Sequence, residues 1–121
     1  MQYLLLIYGE ESHWRSVGED EWKTIDAEYG ALTQDIEAQG KFIGGNELQS
    51  METATTVRVR SGEVMTTDGP FAETKEALGG YYLIDADSLD EALEWAARIP
   101  NARDGMVEVR PVVMRQAEVA Q

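Results

Sequence analysis

The run Thr67-Asp68-Gly69-Pro70-Phe71-Ala72-Glu73-Thr74-Lys75-Glu76 separates two segments that read as strands, and the fold follows from what stands on either side of it. Asp68, Gly69 and Pro70 punctuate the backbone in succession. The Asp68 carboxylate can accept from nearby backbone N–H groups, Gly69 tolerates positive φ, and Pro70 presets φ for the first turn of a short helix running toward Ala77. Turn chemistry alone accounts for all three. The ionisable groups that follow, Glu73, Lys75 and Glu76, equally suit a binding loop held open by a rigid sheet. Solvated connector and ligand site both stand at this point.

Upstream, Thr55 to Arg60 alternates, with Val57 and Val59 on one face and Arg58 and Arg60 on the other, and Ser61-Gly62 turns the chain into Glu63 to Thr67. Downstream, Gly79-Gly80 permits a bulge before Tyr81 to Ile84, which is apolar on both faces. Gln2 to Tyr8 does not alternate either and suits a strand covered on both sides. Glu10 to Gly18 reads as a polar connector, with Ser16-Val17-Gly18-Glu19 as a capping box. Trp22, Ile25, Tyr29, Leu32 and Ile36 then recur at helical spacing, and Gly40 ends that helix as a C′ residue. Lys41 to Thr53 reads as irregular.

Ser88-Leu89-Asp90-Glu91 is a second capping box, opening a helix that turns Leu89, Ala92, Leu93, Ala96 and Ile99 inward and stops at Pro100. Met106 to Val112 alternates as a last strand. The order is βαββαβ with an extra hairpin strand, an α+β domain over residues 1–113 followed by a tail at 114–121. Both long helices should cover one face of an antiparallel sheet. The doubly apolar strands leave its other face in need of a cover, and a homodimer joined through the sheet supplies it.

The run Asp68 to Glu76, followed by Leu78-Gly79-Gly80-Tyr81-Tyr82-Leu83-Ile84-Asp85, closely resembles the signature of the DGPF group of YCII-related proteins. Met1 to Gly9, Tyr29 to Thr33, Thr55 to Arg60 and Glu108 to Val112 are similar to that group's other recurring segments. The resemblance implies a ferredoxin-like domain that dimerises into an α/β barrel. Some relatives occur beside or fused to sigma factors, which implies a regulatory protein partner as an alternative to chemistry. The wider family is proposed to be enzymatic through a His and Asp pair. Where its helix carries the His this chain has Tyr29, so that proposal does not transfer.

Ten basic residues against 23 acidic ones give a formal net charge of −13. Such a surface repels phosphate backbones and anionic lipid, so neither nucleic acid nor membrane is expected as a partner. Cysteine is absent, which removes disulfides, thiol nucleophiles and Cys-ligated metals and suits a reducing cytoplasm. The apolar run Tyr3 to Tyr8 lacks a basic leader and is too short to span a bilayer; a soluble cytoplasmic protein is expected. With a single histidine, haem and transition-metal sites are set aside. Asp68, Glu73 and Glu76 do not reproduce a known Mg²⁺ or Ca²⁺ loop, so no metal and no cofactor is expected.

In so acidic a chain the strand arginines carry information. If the valines beside them face the helices, Arg58, Arg60 and Arg110 face the barrel interior. There they either pair with Glu108 and other acids or hold a small carboxylate, phosphate or enolate, since guanidinium binds planar anions bidentately. The expected site has Asp68 as catalytic base or hydrogen-bond acceptor at the pocket mouth, Arg58, Arg60 and Arg110 on the anion, and Glu73 and Lys75 shaping the loop. Tyr29, Tyr81 and Tyr82 read as core residues, of which Tyr82 is the one chosen to bring its hydroxyl to a ligand. His13 reads as solvent-exposed. The alternative is a non-catalytic accessory or regulatory dimer whose loop is a clasp or docking surface. A clasp satisfies Asp68 with local backbone donors, whereas a site leaves its carboxylate unpaired beside a pocket.

Overall fold

The computed structural model describes residues 1–72 and 74–115, and alternation along its first strand sets the architecture. In β1 (Gln2–Gly9) Tyr3, Leu5 and Ile7 are buried, while Leu4, Leu6 and Tyr8 between them are half-buried. After it come α1 (Glu11–Ser16), α2 (Glu19–Ala38), β2 (Phe42–Glu47), β3 (Thr55–Arg60), β4 (Glu63–Asp68), β5 (Ala77–Asp85), α3 (Leu89–Ala97) and β6 (Met106–Pro111). Four strands form one sheet in the order β2-β5-β1-β6, and every pairing is antiparallel. Tyr3, Leu5 and Ile7 share a core with Tyr82 and Ile84 of β5, Leu32 and Ile36 of α2, and Ala92, Trp95 and Ala96 of α3. Burying each large apolar side chain contributes roughly 1.5–3 kcal/mol. The result is a mixed α+β arrangement consistent with a ferredoxin-like fold.

The helix signals at Gly40 and Ser88 act as the sequence suggests. Gly40 has φ +72°, its N–H bonds to the Glu37 carbonyl at 2.9 Å, and the Lys41 N–H reaches Ile36 at 3.1 Å, which is a full Schellman closure of α2. Ser88 Oγ accepts from the Glu91 N–H at 3.1 Å at the start of α3. The bulge expected at Gly79-Gly80 is present as well: Ile7 pairs with Gly80 and Tyr8 with Leu78, leaving Gly79 between them.

Four local expectations are corrected. Lys41 to Thr53 is not irregular, because it contains β2, an edge strand on β5. Phe42 lies opposite Ile84 and enters the core, whereas Gly44 and Gly45 carry no side chains and so hide the strand from any apolar pattern. The β3–β4 hairpin is not an extension of the main sheet but a separate two-stranded sheet inserted between β2 and β5. Glu10 to Gly18 holds the helix α1, and Ser16 does not cap α2: its Oγ donates back to the His13 carbonyl at 2.6 Å, and Gly18 is the N-cap. The short helix expected from Pro70 toward Ala77 does not form among the described residues there. The tail expected at 114–121 falls outside the described residues beyond Arg115, and no described helix is long and apolar enough to cross a membrane.

Candidate functional site

A cavity of about 500 Å³ lies between α1, α2 and the β2–β5 side of the sheet. The sequence builds it by omission. Gly45, Gly79 and Gly80 line it, so the sheet offers backbone where side chains would otherwise fill the space. Trp14 of α1 covers this bare stretch: a Cβ on Gly9 or on Gly79 would lie 2.6 Å from its indole. From α2, Trp22, Asp26, Tyr29 and Thr33 enter the lining at steps of three and four residues, one stripe beside the buried Ile25, Leu32 and Ile36. Phe42, Glu47 and Leu48 come from β2 and the turn after it, and Tyr82 from β5.

Tyrosine hydroxyls organise the inner wall. The Tyr29 hydroxyl donates to Asn101 Oδ1 at 2.5 Å, Asn101 Nδ2 donates to Asp104 Oδ1 at 3.3 Å, and the other Asp104 oxygen lies 3.0 Å from His13 Nε2. Tyr82 and Thr33 hydroxyls are 2.8 Å apart. Thr33 Oγ1 donates its only proton to the Tyr29 carbonyl at 2.9 Å, so Tyr82 is the donor of that pair. The two rings stack with centroids 6.4 Å apart, and Phe42 meets Tyr82 edge-on at 6.2 Å. Burial pushes both phenols above the ordinary tyrosine range, and at Tyr29 the neighbouring Tyr82 adds to that effect. Both are neutral hydroxyls at physiological pH.

The charged residues of the lining divide into settled and unsettled. Glu11 is buried and accepts from Ser50 Oγ and the Met51 N–H, both at 3.0 Å, with Arg15 at 3.6 Å. Arg15 also reaches Glu52 at 3.2 Å. Asp26 and Glu47 are exposed, and no cation pairs with either among the described residues.

Of the residues assigned to the site from sequence, Tyr82 lines this cavity, and so do Tyr29 and Tyr81, which read as core residues. Asp68 ends β4 in an exposed position and makes no capping bond among the described residues; the turn is held instead by the Gly69 N–H on the Ala54 carbonyl at 2.7 Å and by Thr56 Oγ1 on the Gly69 carbonyl at 2.8 Å. Its carboxylate borders an open depression with Met51, Glu52, Gly69, Pro70 and Thr74. Lys75 pairs with Glu10 at 3.4 Å, tying the loop to the head of α1. Glu73 lies outside the described residues. Arg58 and Arg60 stand on the detached hairpin, opposite Met65 and Glu63, and the valines between them are exposed rather than turned to the helices. Arg110 lies opposite Leu4 on the sheet face away from the helices. None of the three pairs with a carboxylate among the described residues.

Asp26, Thr33, Glu47 and Asn101 are among the lining residues that sequence reasoning missed. The helical stripe held the signal for Asp26 and Thr33, since they stand four residues beyond Trp22 and Tyr29. Glu47 and Asn101 carried none, because β2 itself was invisible and Asn101 comes from the turn after α3.

An uncharacterised protein of Rhizobium meliloti (strain 1021) is 39% identical over 116 residues, covering 94% of this chain and 94% of its own. A family model described as the YCII-related domain matches residues 1–115. That match runs from β1 through β6, so the sheet, the helices and the cavity between them all fall within it, and the chain belongs to the YCII-related domain family.

Proposed function

We propose that this protein is a homodimeric small-molecule-binding domain of the DGPF group, with the cavity beneath α1 and α2 as its site. The observation that carries this reading is the cavity itself, about 500 Å³ with aromatic walls, a glycine-lined sheet surface and a few polar groups, which is the size and make-up of a ligand pocket. The signature run Asp68 to Glu76 supports membership of the DGPF group. The loop bears on the site from outside, through Lys75 on Glu10 at the entry to the helix that carries Trp14. The lack of cysteine fits a cytoplasmic setting.

Two apolar features support the homodimer. Leu4, Leu6 and Leu83 lie half-buried on the sheet face opposite the helices, with Leu4 directly across from Leu83. The hairpin exposes Val57, Val59 and Val64, and a two-stranded hairpin on its own is marginal in water. Phe71, 82% exposed beside Asp68, favours a second reading of the loop alone, as a surface that another protein chain covers.

Fluorine NMR of protein labelled with 5-fluorotryptophan tests the cavity. Its three tryptophans divide cleanly, Trp14 and Trp22 lining the cavity and Trp95 lying in the core under α3. Fragment-sized compounds should shift the Trp14 and Trp22 resonances saturably and leave Trp95 in place. A screen that moves neither cavity resonance overturns the reading.

A further inference from the structure

The direction of the hydrogen bonds around the cavity constrains what can enter it. Tyr29 spends its proton on Asn101, Thr33 on the Tyr29 carbonyl, and Tyr82 on Thr33. Each phenol has one proton, so what remains to the Tyr29 and Tyr82 oxygens is lone pairs; the third lining tyrosine, Tyr81, accepts from Asn46 Nδ2 at 2.9 Å and keeps its own proton. A ligand at the Tyr29 and Tyr82 hydroxyls must bring donors, because an acceptor would leave buried oxygen facing oxygen.

Charge points the same way. Glu11 and Arg15 are occupied with each other, with Ser50 and with Glu52. Asp26 and Glu47 have neither cation nor hydrogen-bond donor among the described residues, so the lining carries two uncompensated negative charges. The indoles of Trp14 and Trp22 add ring faces, which attract cations through their quadrupoles. The arginines that would hold an anion lie elsewhere, on the hairpin and on the far face of the sheet.

Resting on the reading of the cavity as the ligand site, we infer that its ligand is an organic cation, an ammonium group on an apolar or aromatic body, with Asp26 and Glu47 as counter-charges. The Tyr29 and Tyr82 oxygens accept from its N–H groups and the aromatic walls hold its body.

Three near-isosteric probes test this: phenethylammonium, 2-phenylethanol and 3-phenylpropionate, titrated into the intact protein with the Trp14 and Trp22 fluorine resonances as readout. The ammonium should bind about tenfold or more tighter than the alcohol, and the propionate weakest, since each charge-assisted hydrogen bond adds about ten- to a hundredfold. Asp26→Asn and Glu47→Gln should each pull the ammonium-to-alcohol ratio toward one. If the alcohol or the propionate matches the ammonium, or if the ratio survives both substitutions, the cation assignment is overturned while the cavity stands as a site. If no probe moves either resonance, the assignment falls together with the reading beneath it.

Discussion

Glu91 shows what one side chain can join. Its carboxylate accepts from the Asp87 N–H at 2.7 Å, from Lys41 Nζ at 2.8 Å and from Trp95 Nε1 at 3.1 Å, so it closes the start of α3 onto both the core and the chain entering β2. The Asp87 N–H, then Lys41, hold its pKa below the ordinary carboxylate value of 4.5. A folded-state value depressed in this way adds stability that is present above 4.5 and lost as pH falls through the lower folded value. Urea unfolding at neutral pH and again below pH 4.5 should therefore show a loss in the wild type that is smaller in Glu91→Gln. Identical pH dependence in the two proteins would remove the role. The Ser88-Leu89-Asp90-Glu91 spacing made this capping legible from sequence, but not the reach to Lys41 fifty residues away. Asp68 is the opposite case: a residue type suited to capping that makes no cap among the described residues, because backbone and Thr56 donors already close the turn.

At the scale of elements, α1 and β2 are two of those that line the cavity and the two least visible beforehand. A six-residue helix rich in polar side chains has too few turns to show a stripe, and it is held by what it packs on rather than by propensity. Trp14 rests where Gly9 and Gly79 leave room, so α1 and the β5 bulge are parts of one arrangement. Gly79→Ala forces the indole away from a Cβ that would stand 2.6 Å from it. The variant should lose roughly 1–3 kcal/mol of stability by overpacking. It should also shift the Trp14 fluorine resonance and weaken binding in the cavity, while Trp95 stays unchanged. An unaltered Trp14 signal would mean that the ring does not depend on the bare strand surface.

For the whole molecule the question is what covers the second face of the sheet. Leu4, Leu6 and Leu83 project there, with Glu108 and Arg110 beside them on β6. Sedimentation at micromolar concentration should give a homodimer, and Leu6→Asp, which puts a charge among those leucines, should shift it to monomer with the secondary structure retained. A wild-type monomer under the same conditions refutes the homodimer, while the cavity, formed within one chain, would remain testable as before. The anion site imagined between strand arginines needed the hairpin to lie in the main sheet; the hairpin leaves it, and Arg58 and Arg60 leave with it.

Periodicity and punctuation are local properties, and the sequence by itself determined much of what depends on them: the stripe of α2, its closure at Gly40, the capped start of α3, the bulge at Gly79 and the doubly apolar β1 and β5. Which strand pairs with which is decided by burial across distant segments, so only the tertiary structure could place β2 on β5 and set the β3–β4 hairpin apart. The cavity belongs to that second kind. Its floor is made of glycines, which add no apolar signal, and the acceptor character of its Tyr29 and Tyr82 hydroxyls comes from protons spent on partners as far away in the chain as Asn101 is from Tyr29, a direction of hydrogen bonding that exists only once the helices have docked on the sheet.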